Sequence, residues 1–376
     1  MPAATSLRDR LIRLGETLII GSAGGAVLGL AHFPAGWLSG AIIAVAAAAL
    51  AKRPVHIPDL LAQSAFVVLG ISLGASVTPE TVSRMSSWPA SLAILALAMA
   101  CGSAAVVFYL HRVHRWDVLS ALFASAPGGL SQALALAAET GADLRSIAMV
   151  QSVRVLVLTA GLPLGLAGLG VIGARPPAAS IATAASLAEL AALVAVSAAG
   201  AMLAYRIRLP GGLIVGAMAV SGVLHGSGIV KANLPPALAI ASFVVLGSII
   251  GARFAGTDIW LLRRLTLVGF GALLVGTAVA GIFAFAAAAL LALPVGDVIV
   301  AYAPGALEAM TTLAFALHLD PAFVGTHHIT RLIFVSLIMP LVVHAIRRRR
   351  SGSLAGLKRE QQPEPRALTP PRARGP

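Results

Sequence analysis

Phe66-Val67-Val68-Leu69-Gly70, followed by Gly74-Ala75, returns 177 residues later as Phe243-Val244-Val245-Leu246-Gly247, followed by Gly251-Ala252. The same offset carries Ala126-Pro127-Gly128 onto Ala303-Pro304-Gly305, Asp143 onto Asp320, Arg154 onto Arg331, Pro58 onto Pro235 and Pro163 onto Pro340. Pro34-x-Gly36-x-Leu38-x-Gly40-Ala41 matches Pro210-x-Gly212-x-Ile214-x-Gly216-Ala217 at 176, so one residue was inserted between these blocks. A register held from Pro34 to Pro163 is an internal duplication. It divides the chain into a first repeat, 1–175, a second, 176–351, and a tail, 352–376.

The repeats are built for a bilayer. Hydrophobic residues make up 58% and charged residues 11%, with a mean hydropathy of +0.93; soluble domains carry roughly 25% charged residues. Apolar runs of about 18–25 residues recur along the chain, long enough to cross the hydrocarbon core as helices. Arg8, Arg10 and Arg13 lead directly into the first run with no small-residue cleavage site, which reads as a first spanning helix with a cytoplasmic N-terminus. The lone cysteine, Cys101, sits in an apolar run and reads as a buried structural thiol. Much of the net charge of +13 falls in Arg347–Arg350 and the tail. That tail is expected to be disordered and cytoplasmic, attracted to anionic lipid. No helix-turn-helix pattern or aromatic-basic platform accompanies it, so direct nucleic-acid binding is not expected.

Charge decides the number of crossings. Apolar segments fall at 11–31, 35–51, 60–77, 88–110, 118–138 and 146–172, then at 182–205, 211–226, 236–255, 265–292, 297–318 and 326–346. If all twelve crossed, Arg206, Arg208, Arg253, Arg263 and Arg264 would face outward, against the positive-inside tendency. If 118–138 and 297–318 dip in and return, each repeat has five spans and the second is inserted upside down. Of 27 Lys and Arg, three (Arg84, Arg175, Lys231) then lie outside and two (Arg154, Arg331) within spans, leaving 22 inside. Pro127-Gly128-Gly129 and Pro304-Gly305 interrupt the two dipping segments, leaving short arms and free backbone groups at membrane depth. Such backbone survives only where protein or a wet cavity satisfies it. A kinked spanning helix is the alternative. The expected fold is an all-α integral membrane protein of two inverted repeats, each with about five spans and one re-entrant hairpin. A bacterial inner membrane and two cytoplasmic termini follow from that reading.

Opposed hairpins meeting at the midplane are a common substrate site in secondary transporters. Half-helices beginning after Pro127 and Pro304 present N–H groups suited to an anion. Residues placed to touch a solute are Pro127, Gly128, Gly129, Ser131 and Gln132 in one repeat, and Pro304, Gly305, Glu308, Thr311 and Thr312 in the other. Arg154 and Arg331 are charges within spans, each costing about 2.5–3.5 kcal/mol on insertion scales; Gln151 with Ser152, and His327 with His328, lie about one turn before them. Substrate contact is one reading of the arginines; pairing of Arg331 with Glu308, or of Arg154 with Asp143, is the other. Asp143 and Asp320 read as helix N-caps. His111-x-x-His114 reads as interfacial, and His327-His328 point about 100° apart on a helix, poorly placed for one metal. No Glu-x-x-His, Cys-x-x-Cys or His-Glu-x-x-His occurs, so no catalytic residue, metal or cofactor is nominated. Gly70-x-x-x-Gly74, Gly247-x-x-x-Gly251 and Gly21-x-x-x-Gly25-x-x-x-Gly29 permit close helix contact, within the chain or in a homodimer.

The blocks Pro34–Ala41, Phe66–Ala75 and Ala126–Gly129 with Arg154 resemble one copy of the duplicated domain of the bacterial AbrB-type membrane family. Pro210–Ala217, Phe243–Ala252 and Ala303–Leu307 with Arg331 resemble the other. Members are often labelled ammonia monooxygenases or transcriptional regulators. The first label finds no metal ligands in this sequence, and the second implies an indirect action from the membrane. The expectation is a carrier of a small, anionic organic solute, with Na⁺ or H⁺ as a possible coupling ion; a membrane-bound sensor is the alternative, and an enzyme comes third. Likeness to inverted-repeat carriers for glutamate or bile acids is one of architecture only.

Overall fold

The computed structural model describes residues 7–77, 81, 85–128, 130–172, 186–257 and 259–360, and these contain helices and no strands. The expected boundary between repeats at 175/176 lies outside them, as do Arg84 and Arg175 and the tail from 361. Among the described residues seven α-helices belong to the first repeat: α1 (Leu7–Leu30), α2 (Gly36–Leu50), α3 (Asp59–Gly74), α4 (Trp88–Phe108, running on as a π-turn to Val113), α5 (Val118–Ser125), α6 (Leu130–Ala138) and α7 (Leu144–Gly168). Seven more follow in the same order: α8 (Leu187–Arg206), α9 (Gly212–Gly226), α10 (Pro236–Ala252), α11 (Ile259–Leu291), α12 (Val295–Tyr302), α13 (Leu307–Ala316) and α14 (Pro321–Glu360). By internal contacts the chain divides into residues 1–335 and 336–376. The described part of the second unit is the remainder of α14, which carries Arg347–Arg350 and continues through 352–360, where the tail was expected to begin.

Among the described residues six helices are long and apolar enough to cross a membrane: 8–30, 88–113, 144–168, 187–206, 262–291 and 321–348. The other four expected spans, α2, α3, α9 and α10, have only 15, 16, 15 and 17 residues. At 1.5 Å per residue they reach about 22–26 Å, short of a ~30 Å core. Their apolar residues run right round the helix, which suits burial inside protein rather than against lipid. Leu38, Ala41, Ile42 and Val45 of α2, Leu69 and Leu73 of α3, and Ile214 and Ala217 of α9 are indeed buried. The long helices turn large apolar side chains outward, among them Ile19, Val27, Leu97, Phe108, Leu203, Leu267 and Phe285. A soluble surface would not carry that band; a lipid-facing one does. Cys101 belongs to this band: it is exposed on α4, correcting the expected buried thiol. An apolar run in a membrane protein does not by itself distinguish the interior from the lipid face.

The repeats exchange contacts reciprocally. α2 packs on α10 as α9 packs on α3, α1 on α2 as α8 on α9, and α4 meets its own counterpart α11. A Cβ at Gly70 would come 2.5 Å from the Ile214 carbonyl oxygen, and one at Gly247 would come 2.8 Å from that of Leu38. Leu38 and Ile214 are repeat partners, as are Gly70 and Gly247, so one close contact is built twice with the halves exchanged. That is the pattern of a two-fold relation. The Gly-x-x-x-Gly pairs of α3 and α10 are thereby used within the chain.

Candidate functional site

Both interrupted segments turn back on themselves. α5 ends at Ser125, Ala126 leaves helical geometry, and Gly128 takes φ +80°, a left-handed conformation that favours glycine. In the second repeat α12 ends at Tyr302 and α13 restarts at Leu307. The arms have 8 and 9 residues in one segment and 8 and 10 in the other. Their bases meet. The Asp143 N–H, beyond the end of α6, donates to Ser120 Oγ at the start of α5 (3.1 Å), and the Asp320 N–H donates to Asp297 Oδ1 (2.9 Å). Positions 120 and 297 are repeat partners, so each hairpin is closed by the same bond with different chemistry. The two ends of each segment thus lie side by side rather than at opposite ends of one kinked helix.

Each hairpin is then laced to the helix that follows it. Gln151 Nε2 donates to the Phe123 carbonyl (2.8 Å), and its partner His328 Nε2 donates to the Val300 carbonyl (3.1 Å). Arg154 Nη2 donates to the Ala126 carbonyl (2.8 Å) and Nη1 reaches that of Ala124 (3.4 Å). Arg331 Nη1 donates to the Ala303 carbonyl (2.6 Å), while Nη2 donates to the Gly305 carbonyl and His328 Nδ1, both at 2.5 Å. These carbonyls are left without intrahelical partners where the first arm stops, and the end of a helix carries partial negative charge. The guanidiniums therefore cap broken helices, and the expected pairs with Asp143 and Glu308 do not form. Asp143 caps α7, accepting from the Ser146 N–H (3.1 Å) and hydroxyl (2.6 Å); the hydroxyl is the main reason its carboxyl sits below the usual carboxylate range. Asp320 likewise accepts from the N–H groups of Ala322 and Phe323. Glu308 instead interacts electrostatically with Arg253 at the end of α10.

A cavity of about 40 Å³ lies against both hairpin tips. Arg154, Arg331, Pro127 and Pro304 line it, with Ser125 and Tyr302 as repeat partners on the two first arms. Its remaining wall comes largely from apolar and small residues of α4 and α11, including Leu95, Met99, Val106, Ala272 and Leu273. No carboxylate is among its described lining residues. Arg154 is 7% exposed and Arg331 1%, and in both the Nε–H is buried with no hydrogen-bond partner. A buried donor without a partner costs about 1–3 kcal/mol. Two equivalent ones, one from each repeat, belong to arginines that line one cavity with no carboxylate among its described lining residues. Counting about 10–15 Å³ per water-sized probe, the space admits a carboxylate-sized group.

The first hairpin's tip lies against α14, the helix that follows the second hairpin. A Cβ on Gly128 would lie 3.0 Å from Leu332 Cδ2 and 3.8 Å from Arg331 Nε, across the repeats. Gln151, Gly305, Glu308, Thr311, Thr312, His327 and His328 are not among the cavity-lining residues. Thr311 Oγ1 donates to the Leu307 carbonyl within its own helix, and Thr312 Oγ1 is buried without a partner. Gly129 and the side chains of Ser131 and Gln132 lie outside the described residues. Ser125 and Tyr302 were missed, although each stands directly before its Ala-Pro-Gly block at the shared offset. His327 and His328 diverge, to Ser91 and Phe323 on one side and to Val300 and Arg331 on the other. Among the described residues no three His, Cys, Asp or Glu side chains converge to hold a metal ion.

Residues 37–347 match the family model described as "Transition state regulatory protein AbrB". The chain is 24% identical over 350 residues to "Uncharacterized protein YhjN" of Bacillus subtilis (strain 168), covering 86% of this chain and 90% of that protein. It is 25% identical over 330 residues to "Putative regulator AbrB" of Escherichia coli (strain K12), covering 84% and 91% respectively. The matched span holds both glycine pairs, both hairpins and both capping arginines, and the chain belongs to the AbrB family of multi-helix membrane proteins.

Proposed function

We propose that the protein is a secondary transporter of a small organic anion, held between two hairpin tips that reach the bilayer midplane from opposite faces. The observation that carries this reading is the pair of buried, unpartnered Nε–H groups of Arg154 and Arg331 beside one carboxylate-free cavity. Hairpins that return to their bases leave an odd number of crossings per repeat, five if the two short helices are counted and three if they are not. The second repeat is then inverted, and the two-fold axis implied by the reciprocal contacts lies in the membrane plane. The positive-inside count supports cytoplasmic termini in a bacterial inner membrane. The short α2, α3, α9 and α10 form the scaffold, and each hairpin with its laced helix forms a unit that moves against it. Chemistry on the solute forms no part of this reading.

A second reading is favoured by the name of the E. coli relative and the description of the family. In it the same cavity binds an anion without moving it, and the protein acts on gene expression indirectly. Purified protein in proteoliposomes, offered a panel of small carboxylates and sulfonates under sodium, proton and null gradients, separates the two. Stabilisation by one anion together with its accumulation is the expected result. Stabilisation without flux under every gradient supports the sensor, and no stabilisation by any anion overturns the site.

A further inference from the structure

One polar chain leads away from the cavity, from Tyr302 of the second repeat through Ser91 on α4 of the first to His327 on α14. Tyr302 lines the cavity, and its hydroxyl donates to the Ser91 carbonyl (2.7 Å). Ser91 Oγ lies 3.3 Å from the Tyr302 oxygen and 2.9 Å from His327 Nε2. His327 Nδ1 lies 2.8 Å from the Phe323 carbonyl, an acceptor only, so Nδ1 carries the proton and Nε2 offers a lone pair to the Ser91 hydroxyl. Ser91, Tyr302 and His327 are all buried.

We propose that His327 is a proton site coupled to the anion, so that a proton on Nε2 and an anion beside Arg154 and Arg331 bind together. This rests on the anion site argued above. The wiring suits one proton. When Nε2 is protonated it donates to Ser91 Oγ, and the Ser91 hydroxyl turns to donate to the Tyr302 oxygen, whose own hydrogen stays on the Ser91 carbonyl. No donor or acceptor in the chain is lost in either state. His328 cannot do the same. Its Nε2–H is held by Val300, and its Nδ1 accepts from Arg331, so a second proton there would face a guanidinium donor.

The coupling is electrostatic. His327 and Arg331 are one turn apart on α14, and a second positive charge beside a buried guanidinium is opposed in a low dielectric. An anion at the guanidiniums removes that opposition, and by linkage the proton strengthens anion binding equally. The other ionisable groups near His327 are His328 on its own helix and Tyr302 on α12; α4 contributes the Ser91 hydroxyl. Asp320 is about 10 Å away along the helix and is occupied as an acceptor of N–H groups. Val150 and Gln151 stand at the two histidine positions in the first repeat, so only one half carries the proton.

The test is binding of methanesulfonate, an anion that does not itself titrate, to the full chain in nanodiscs at pH 5 and pH 8. Affinity at least about fivefold tighter at pH 5 is expected, with less than a twofold difference in His327→Gln. Should that variant fail to fold, Ser91→Ala is expected to move the midpoint of the pH dependence while leaving the acid-limit affinity within twofold. A pH-independent affinity in the wild type overturns the coupling and leaves the anion site standing, as does a pH dependence unchanged in both variants. Absence of methanesulfonate binding at every pH overturns the anion site and the coupling with it.

Discussion

The two hairpins are laced at equivalent positions and furnished differently. In the first repeat the lacing is Ser120 to Asp143, Gln151 to Phe123 and Arg154 to Ala126; in the second it is Asp297 to Asp320, His328 to Val300 and Arg331 to Ala303. The backbone acceptors are equivalent while half of the side chains have changed. What the duplication preserved is therefore the means of holding a broken helix in a membrane. The changes gather in the second repeat, where Tyr302, His327, His328 and Glu308 stand for Ser125, Val150, Gln151 and Ser131. A symmetric frame carrying asymmetric chemistry suits a ligand that has no symmetry of its own.

The largest expected effect breaks the lacing. Arg331→Gln removes three close hydrogen bonds from a fully buried site, and Arg154→Gln removes one close and one long bond. Thermal or denaturant unfolding in detergent should show a loss of about 3–5 kcal/mol for the first and about 2–3 kcal/mol for the second. An equal or reversed ranking would mean the two clamps are not what distinguishes the repeats. Next comes the hairpin base. Asp143→Ala should cost about 1 kcal/mol at neutral pH through the lost cap. Because the folded carboxyl is held below its ordinary value, this contribution is present above the unfolded value of about 3.9 and lost as pH falls through the folded one. A deficit that is the same at pH 3 and pH 7 would show that the charge is not what caps the helix.

Much of this was open to reading in the sequence, because a duplication lets each repeat annotate the other. The 177-residue offset exposed the breaks at Pro127 and Pro304 and the two intramembrane arginines together. The acceptors of those arginines were harder to foresee. A carboxylate elsewhere in the chain is a visible partner for a buried cation, whereas a carbonyl freed by a helix break is present at every residue and visible at none. The one trace was a spacing: Phe123–Gln151 and Ala126–Arg154 are each 28 residues apart, as are Val300–His328 and Ala303–Arg331. Ser91 had no such trace, since its repeat position is Val268. The shortness of α2, α3, α9 and α10 was hidden for another reason: a helix buried in protein and one buried in lipid use the same residues.

Two smaller effects sharpen the comparison. Ala35 precedes α2 at φ 53°, where its partner before α9 is Gly211 at φ 63°. Ala35→Gly should relieve a left-handed alanine and raise stability by about 0.5–1 kcal/mol. Gly211→Ala should lower it, since a Cβ there would strike Leu307. A loss on Ala35→Gly would show that this turn is not strained. Smallest of all should be His328→Gln, which writes the first repeat's residue into the second. Glutamine has a donor for the Val300 carbonyl and an acceptor for Arg331, so a change of less than about 1 kcal/mol is expected in the same unfolding assay. A large loss would show that the imidazole does something at this position that an amide cannot.

The claim on which the rest depends is that the two hairpins dip in from opposite faces. It is tested most directly by single cysteines at the exposed hairpin bases, Gly141→Cys and His318→Cys, in a Cys101→Ala background. Each is labelled with a membrane-impermeant maleimide in intact spheroplasts and in inside-out vesicles. Position 141 should react only in inside-out vesicles, and position 318 only in intact spheroplasts. Labelling of both positions from one face would contradict the inverted arrangement and remove the midplane meeting of the hairpins.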